Sequence, residues 1–198
     1  MPSPASHPHA ERAQQGERER VRLRDGSWVT VREVHPQDEA ALRCFLSDLC
    51  LDARRLRFFS AAIDIAQAAH LGAEEDAAHR GLVARDETGL IVGHATYALL
   101  DEQRAEVAVE VSDHLHSRGL GTVLLERLAR LAEQRGVTRF VAEVLSENRA
   151  MLEVFRDGFD AHVTRHEGTQ ETIEFSTSGW RLAKERFPLR TSSTSTAP

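Results

Sequence analysis

The sequence predicts a single α+β domain, in which a mixed and mostly antiparallel sheet is flanked by helices. Three observations lead to this prediction. Two neighbouring stretches, residues 90–99 and 105–112, are rich in apolar and β-branched residues, which is typical of strands. Residues 119–135 then repeat leucine with the period of a helix. A further strand pattern at residues 139–145 adds one β-α-β crossover.

The N-terminal elements are predicted to be a hairpin followed by helices. Residues 21–24 and 28–33 alternate in polarity on either side of an Asp25-Gly26 pair, which is a strong turn signal. Pro36 suits the first turn of a helix. The predicted helices of this part cover residues 36–49, 52–59 and 63–71.

The sheet is expected to begin with strands at residues 81–85 and 90–99, joined by a turn at residues 87–89. The apolar stripe of the helix at 119–135 consists of Leu120, Leu124, Leu128 and Leu131. Gly136 is predicted to end this helix. The last predicted elements are the strand at 139–145, a helix at 147–156, and a hairpin of strands at 159–166 and 169–176.

Composition excludes several classes of function. The 198-residue chain has a formal net charge of −6, whereas a nucleic-acid surface normally needs a basic excess. The spacing of Cys44 and Cys50 fits neither a redox pair nor a zinc knuckle. No apolar run approaches the roughly 20 residues of a membrane span. Residues 1–20 lack the apolar core of a signal peptide. A cytoplasmic protein is therefore expected, with disordered tails at 1–20 and 188–198 around a folded domain at 21–187.

A turn with two glycines follows the 105–112 strand and opens the long helix. Gly119 and Gly121 allow a ligand to approach the backbone closely. The first amides of a helix have no internal partner, and with the helix dipole they form an anion site. Arg118 adds a positive charge, and the Thr122 hydroxyl can donate a further hydrogen bond. The sequence thus predicts a phosphate-binding turn at residues 117–122.

Other interpretations of this turn are weaker. A Gly-x-Gly pair at a helix start can be a tight turn without a ligand. A nucleoside-triphosphate loop would need a Lys-Ser/Thr pair after the glycines, which is missing. A dinucleotide fingerprint would need a third glycine, where this chain has Leu124.

With these motifs the sequence resembles the GNAT superfamily of acyl-CoA-dependent N-acyltransferases. The family signature, Gln/Arg-x-x-Gly-x-Gly/Ala after a strand, is matched by Gly119 and Gly121, with His116 at its first position. A second match is the strand and Asn-led helix at residues 143–152, which is followed by Gly158-Phe159. The resemblance covers about residues 29–176. It implies a GNAT fold whose sheet is splayed at the acyl-CoA site, with acetyl-CoA as co-substrate and no metal.

Three stretches also resemble one subgroup, the bacterial protein lysine acetyltransferases that modify acyl-CoA synthetases. They are residues 57–60, 105–109 and 147–152. In the family, the strand before the turn pairs with the pantetheine arm through its backbone, a mode that tolerates many side chains. The residues that the resemblance places on acetyl-CoA are Val109, Glu110, Val111, Ser117, Arg118, Gly119, Leu120, Gly121, Thr122 and Asn148. Asn148 is equally suited to cap its helix.

The chemistry needs a base, because an amine attacks a thioester only after losing a proton. On an ideal strand Glu106, Ala108 and Glu110 share one face, and the valines between them belong to the core. Glu106 matches the base proposed for the resembling subgroup and is the first candidate, with Glu110 second. The alternative is that both are solvated charges. The amide of Val109 or Val111 is the natural oxyanion donor.

The chain departs from the family at the general acid. Many relatives carry a tyrosine in the later helix to protonate the leaving thiolate, but this chain has Phe155 at about that place. The single tyrosine, Tyr97, belongs to an earlier strand. A thiol with a pKa near 8.5 leaves readily as thiolate, so water or no acid at all would suffice.

Two further sets of side chains allow more than one interpretation. Arg54, Arg55 and Arg57 could contact carboxylates or phosphates, but a solvated helix face with Leu56 and Phe58 buried is favoured. Ten histidines, including His116 near the turn, show no convincing zinc spacing, so no metal is predicted.

The predicted function is direct transfer of an acetyl group from acetyl-CoA to an amine, with a protein lysine as the favoured acceptor. A small-molecule amine acetyltransferase, a non-catalytic acyl-CoA sensor and a nucleotide-binding protein are the alternatives. No nucleic-acid or membrane partner is predicted. The oligomeric state is left open, a homodimer included.

Overall fold

One mixed sheet organises the part of the chain that the computed structural model describes, residues 18–181, 185 and 191–192. Its strands are β1 (Glu19–Arg22), β2 (Trp28–Glu33), β3 (His79–Arg85), β4 (Ile91–Leu99), β5 (Arg104–Val111), β6 (Arg139–Leu145), β7 (His162–Glu167), β8 (Gln170–Ser176) and β9 (Thr191–Ser192). The α-helices are α1 (Glu39–Asp48), α2 (Leu51–Phe58), α3 (Ile65–Gly72), α4 (Leu120–Glu133) and α5 (Arg149–Phe159). Short 3₁₀ helices lie at Pro36–Asp38, Asp113–Leu115 and Thr177–Gly179.

The strand order is β7-β8-β6-β5-β4-β3-β2-β1-β9. Every neighbouring pair is antiparallel except β5 and β6, which run parallel. Helix α4 connects these two strands, as a parallel pair requires a crossover connection. The predicted α+β class with one β-α-β crossover is therefore confirmed.

The core lies on both faces of the sheet, because successive side chains of a strand point to opposite sides. On β3, Leu82 and Ala84 join the larger apolar cluster, which includes α4 and α5, whereas Val83 joins a smaller cluster under α1 and α3. The predicted leucine stripe of α4 is confirmed, since Leu120, Leu124 and Leu128 are at most 1% exposed. Burial of each such side chain stabilises the fold by roughly 1.5–3 kcal/mol.

The largest difference from the predicted elements lies near residue 159. Residues 159–166 were expected to form a strand, but α5 continues to Phe159 and β7 begins only at His162. Phe159 is 2% exposed, and its ring centroid lies 5.4 Å from that of Phe175. Packing against the sheet thus extends the helix beyond the predicted end.

The boundaries of the predicted tails also differ where they are described. Strand β1 begins at Glu19, inside the predicted N-terminal tail, and Thr191–Ser192 pairs with β1 inside the predicted C-terminal tail. The tail residues 1–17, 188–190 and 193–198 lie outside the described residues. None of the helices in the described ranges has the length and apolar content needed to cross a bilayer.

Candidate active site

The turn before α4 has the backbone geometry of an anion site. Gly119 caps the helix in the left-handed conformation, with φ of +88°, and Ser117 also has a positive φ of +60°. A side chain at position 119 would therefore be strained. The amides of Leu120, Gly121 and Thr122 have no intrahelical acceptor, because the first bond of the helix runs from the Val123 amide to the Gly119 carbonyl. These N–H groups and the helix dipole together can hold a diphosphate.

A second cation, Arg24, lies beside this turn. The Arg118 guanidinium hydrogen-bonds to Asp25 in the β1–β2 turn. The backbone amide of Arg24 donates to the Arg118 carbonyl at 3.2 Å. The Arg24 side chain lies along the turn, with its Nε 3.4 Å from the position that a Cβ on Gly119 would take. The expectation that Arg118 supplies a positive charge stays a prediction, and Arg24 adds a second cation at the turn.

The sheet is splayed beside the turn, as predicted. Strands β5 and β6 pair only at Arg104↔Arg139, Ala105↔Phe140 and Glu106↔Val141. Strand β6 nevertheless stays paired with β8 along its whole length. From residue 107 to residue 111, β5 consequently has an edge without a partner strand in the described residues.

The main-chain groups at this open edge can be assigned from the ladder with β4. The amide of Ser112 donates to the Val92 carbonyl at 2.9 Å, and the register between the two strands has no shift. In an antiparallel pair, alternate residues direct their N–H and C=O groups to opposite edges. The main-chain groups of Val107, Val109 and Val111 therefore face the open edge. An extended ligand could hydrogen-bond to them as an additional strand would.

A cavity of about 460 Å³ joins the open edge, the turn and helix α2. Its volume lies within the range of about 300–1,000 Å³ that is usual for small-molecule sites. Glu106 and nine of the ten residues predicted to bind acetyl-CoA line it, the exception being Arg118. Arg24 lines it as well, although sequence reasoning did not select this residue.

Asn148 caps α5 and also faces the cavity. Its Oδ1 accepts a hydrogen bond from the Met151 amide at 3.2 Å. The capping interpretation is thus confirmed. The side-chain amide nitrogen is the group that could reach a ligand in the cavity.

Glu106 is an exposed carboxylate on the cavity wall. It is the last residue of β5 that pairs with β6, so it lies where the two strands separate. Ala108, the next residue on the same face, is half-buried and leaves space beside the carboxylate. The valines on the other face pack in the core as predicted, with Val107 and Val109 buried and Val111 partly buried.

Glu110, on the same face as Glu106, is not a solvated charge. It is 7% exposed, its Oε1 lies 2.7 Å from His94 Nδ1, and its Oε2 accepts from Arg57 Nε at 2.8 Å. Burial alone would raise the pKa of Glu110, but the charges and hydrogen bonds of Arg57 and His94 outweigh it and lower the pKa to about 2. A carboxylate with this pKa and both oxygens engaged is a poor general base, so the second candidate for the base is ruled out.

The arginines of α2 make specific contacts instead of forming a solvated face. Arg57 binds Glu110, Arg55 pairs with Glu147 just before α5, and Arg54 donates to the Ser47 carbonyl. Leu56 and Phe58, which were expected to be buried, are half-buried. The favoured interpretation of this cluster was therefore wrong, because each of the three arginines has a specific partner and two of these partners are distant in sequence.

No phenol hydroxyl reaches the cavity from the described residues. Phe155 lines it and is 3% exposed, and its ring centroid lies 5.1 Å from that of Phe175. Tyr97 is buried in the core, and this burial raises its pKa. His116 donates to the Val111 carbonyl at 3.1 Å. The described residues contain no group of three or more His, Cys, Asp or Glu side chains that could hold a metal ion.

Comparison with known proteins agrees with this geometry. Residues 47–159 match the model of the acetyltransferase (GNAT) family. The GNAT domain of S. lividans PAT is 28% identical, with a TM-score of 0.73 over 87% of this chain and 99% of that chain.

Two more distant structures share the fold. A cAMP-binding acyltransferase from Mycobacterium smegmatis is 24% identical, with a TM-score of 0.56 over 85% of this chain and 54% of that one. A spermidine N-acetyltransferase from Vibrio cholerae, in complex with CoA and spermine, is 13% identical, with a TM-score of 0.62 over 77% of this chain and 98% of that one.

Proposed function

The chain belongs to the GNAT family of acetyltransferases, and from this premise we propose that it transfers an acetyl group from acetyl-CoA directly to an amine, in particular to a lysine side chain of a protein. The observation that carries the proposal is the open edge of β5 beside the amide-rich turn of α4. An extended thioester arm that ends in a diphosphate requires this combination.

The donor site is proposed as follows. The amides of residues 119–122 and the guanidinium of Arg24 hold the diphosphate. The pantetheine arm pairs with the main-chain groups of Val109 and with the amide of Val111, whose carbonyl accepts from His116, and Asn148 donates from its side-chain amide. Spermidine N-acetyltransferase from Vibrio cholerae, which shares this fold, was solved with CoA.

The proposed reaction is a direct displacement. Glu106, alone or through a water, takes a proton from the acceptor ammonium, and the free amine attacks the thioester carbonyl. A C–N bond forms, and the amide of Val109 or Val111 stabilises the oxyanion. The C–S bond then breaks and CoA leaves as a thiolate, while the second proton of the former ammonium passes from the new amide nitrogen to water. The thiolate needs no protein acid because the pKa of a thiol is near 8.5. Phe155 in place of a tyrosine is compatible with this route.

A protein lysine is the acceptor that we favour. Glu106 is exposed at the cavity wall, so a side chain on the surface of another protein can reach it. The stretches that resemble bacterial protein lysine acetyltransferases surround this wall, and the similarity to S. lividans PAT covers nearly the whole of that domain. We propose that the reaction takes place in the cytoplasm.

A non-catalytic acyl-CoA sensor is the second candidate. Phe155 favours it, because this buried ring can donate no proton to a leaving thiolate. The exposed carboxylate of Glu106 at the point where the strands separate argues for catalysis instead.

Release of CoA from acetyl-CoA, measured with a panel of lysine-bearing proteins and small amines, tests the proposal. We expect turnover with protein acceptors. Glu106→Gln should lower kcat by about 10²–10⁴-fold, the usual contribution of a general base, and leave the KM for acetyl-CoA unchanged. Glu102→Gln, which changes an exposed carboxylate in the β4–β5 turn, is the matched control.

Three outcomes separate the candidates. Turnover with small amines alone would assign a small-molecule acceptor. Binding of CoA without release on any amine would favour the sensor. Full activity of Glu106→Gln across the pH range would refute the assignment of the base.

A further inference from the structure

Helix α2 is attached to the rest of the protein by partial apolar packing of Ala53 and Phe58 and by several polar contacts. None of its residues is fully buried, although it crosses β5 and β6 on the face that carries Glu106. At its N-terminus the Cys50 amide donates to Asp113 Oδ2 at 3.0 Å. Near its C-terminus Arg55 pairs with Glu147, and Arg57 with Glu110. Apolar burial alone therefore does not fix the position of this helix.

The Arg57–Glu110 contact is the most buried of these attachments. The Glu110 side chain is 5% exposed, that of His94 is 3% exposed, and that of Arg57 is 26% exposed. His94 Nε2 lies 3.0 Å from the Gly72 carbonyl, which can only accept, so this nitrogen donates. The other ring nitrogen faces an ionised carboxylate and must donate as well. The ring is thus an imidazolium, and the carboxylate lies between two cations.

The imidazole itself has no room to move. A Cβ at position 72 would lie 2.9 Å from His94 Cε1, so the end of α3 packs directly on the ring. The ring fixes Glu110, and Glu110 fixes Arg57. Through these contacts the position of α2 is determined by α3, β4 and β5 together.

Helix α2 in turn forms a wall of the cavity. Ala53 and Leu56 line it, and so does Phe59, directly after the helix. Phe59 is 40% exposed and has a φ of +57°, a conformation that is unfavourable for a residue with a side chain. Such strain persists only where surrounding contacts impose it. Phe59 is the left-handed C-cap that ends α2, directly after the turn that carries Arg57.

We propose that Arg57, Glu110 and His94 form a positioning unit that holds α2 as the acceptor-side wall of the cavity. None of the three is a catalytic residue. The name acceptor-side rests on the proposed function, because Glu106 lies on the face that α2 covers. The donor elements, which are the open edge of β5 and the α4 turn, are held separately by the sheet and the larger core cluster.

Arg57→Gln tests this unit without disturbing the buried His94–Glu110 pair. We expect the KM for the acceptor to rise by about tenfold or more, since small misplacements of a substrate wall have effects up to about 10²-fold. The KM for acetyl-CoA should stay within about twofold. Arg57→Lys keeps the positive charge but lacks the planar guanidinium, so its KM for the acceptor should lie between those of wild type and Arg57→Gln. Arg43→Gln, an exposed change in α1, is the matched control.

Hydrogen exchange gives a second measurement that needs no substrate. In Arg57→Gln the amides of α2 should exchange faster than in the wild type, whereas those of α4 should not change. Glu110→Gln, if it folds, should have the same effect on α2. This measurement remains informative even if no amine is acetylated, so failure of the proposed function and failure of the positioning unit can be told apart.

Two results would overturn the proposal. The first is unchanged exchange in α2 of Arg57→Gln. The second is an equal rise of both KM values, which would indicate general loosening of the structure rather than positioning of one wall.

Discussion

Replacing Glu110 by glutamine should destabilise the protein in a way that depends on pH. The carboxyl has a pKa of about 2 in the folded protein, against 4.5 for a free glutamate. At about 1.4 kcal/mol per pKa unit, this difference corresponds to roughly 3 kcal/mol of stability at neutral pH. The value agrees with the ~3–5 kcal/mol lost when one partner of a buried ion pair is removed.

The sign of the pH dependence follows from the lowered pKa. The stabilisation by Glu110 is complete above the unfolded-state pKa of 4.5 and is lost as the pH falls toward about 2. The difference in the free energy of unfolding between wild type and Glu110→Gln should therefore shrink by roughly 2 kcal/mol between about pH 5 and pH 3.

Urea unfolding followed by tryptophan fluorescence measures this difference. The m-value should be the same for both proteins, so that the midpoints can be compared. Glu102→Gln, an exposed carboxylate without a partner among the described side chains, should stay within about 0.5 kcal/mol of wild type. A Glu110→Gln protein as stable as wild type at neutral pH, or a difference that does not vary with pH, would refute the ion-pair argument.

Two further predictions concern the donor site. Arg24→Gln should raise the KM for acetyl-CoA by about tenfold, the effect of one charge-assisted contact, but should not affect turnover of acetyl-pantetheine, which lacks the diphosphate. An equal effect on both donors would contradict the role of Arg24. Arg22→Gln, on the same hairpin, is the control. Gly119→Ala should destabilise the protein by about 1–2 kcal/mol in thermal unfolding, because φ is +88° there, and should weaken CoA binding in titration calorimetry; unchanged stability and affinity would show that the turn does not need glycine.

Local patterns were sufficient to predict most of the fold and the donor site. The valine alternation in β5 and the leucine stripe of α4 depend on the periods of strand and helix, which the sequence contains directly. The glycines at 119 and 121 indicated a backbone approach that needs no particular side chain. The splay of the sheet followed from the family resemblance, and the register between β5 and β6 confirms it.

The electrostatics of the site could not be predicted in the same way. Glu106 and Glu110 are equivalent in the strand pattern, yet one is exposed and the other is buried between two cations. The difference arises from Arg57 and His94, which reach Glu110 across 53 and 16 residues of sequence. Arg24 reaches the turn from the N-terminal hairpin, which is far from it in sequence. Such contacts depend on tertiary packing, so they cannot be predicted from the periodicity or the spacing of residues in the sequence.

The two edges and the two faces of strand β5 have four different roles. One edge completes the sheet with β4, while the opposite edge beyond Glu106 is available to the donor. One face supplies valines to the interior, and the other presents the carboxylates. Donor recognition on this strand uses the peptide backbone. Substitutions on the carboxylate face can therefore alter the choice of acceptor or the reactivity while binding of the thioester arm is retained. Substitutions within this single eight-residue strand can in this way change the acceptor or the reaction while the acetyl-CoA site stays the same.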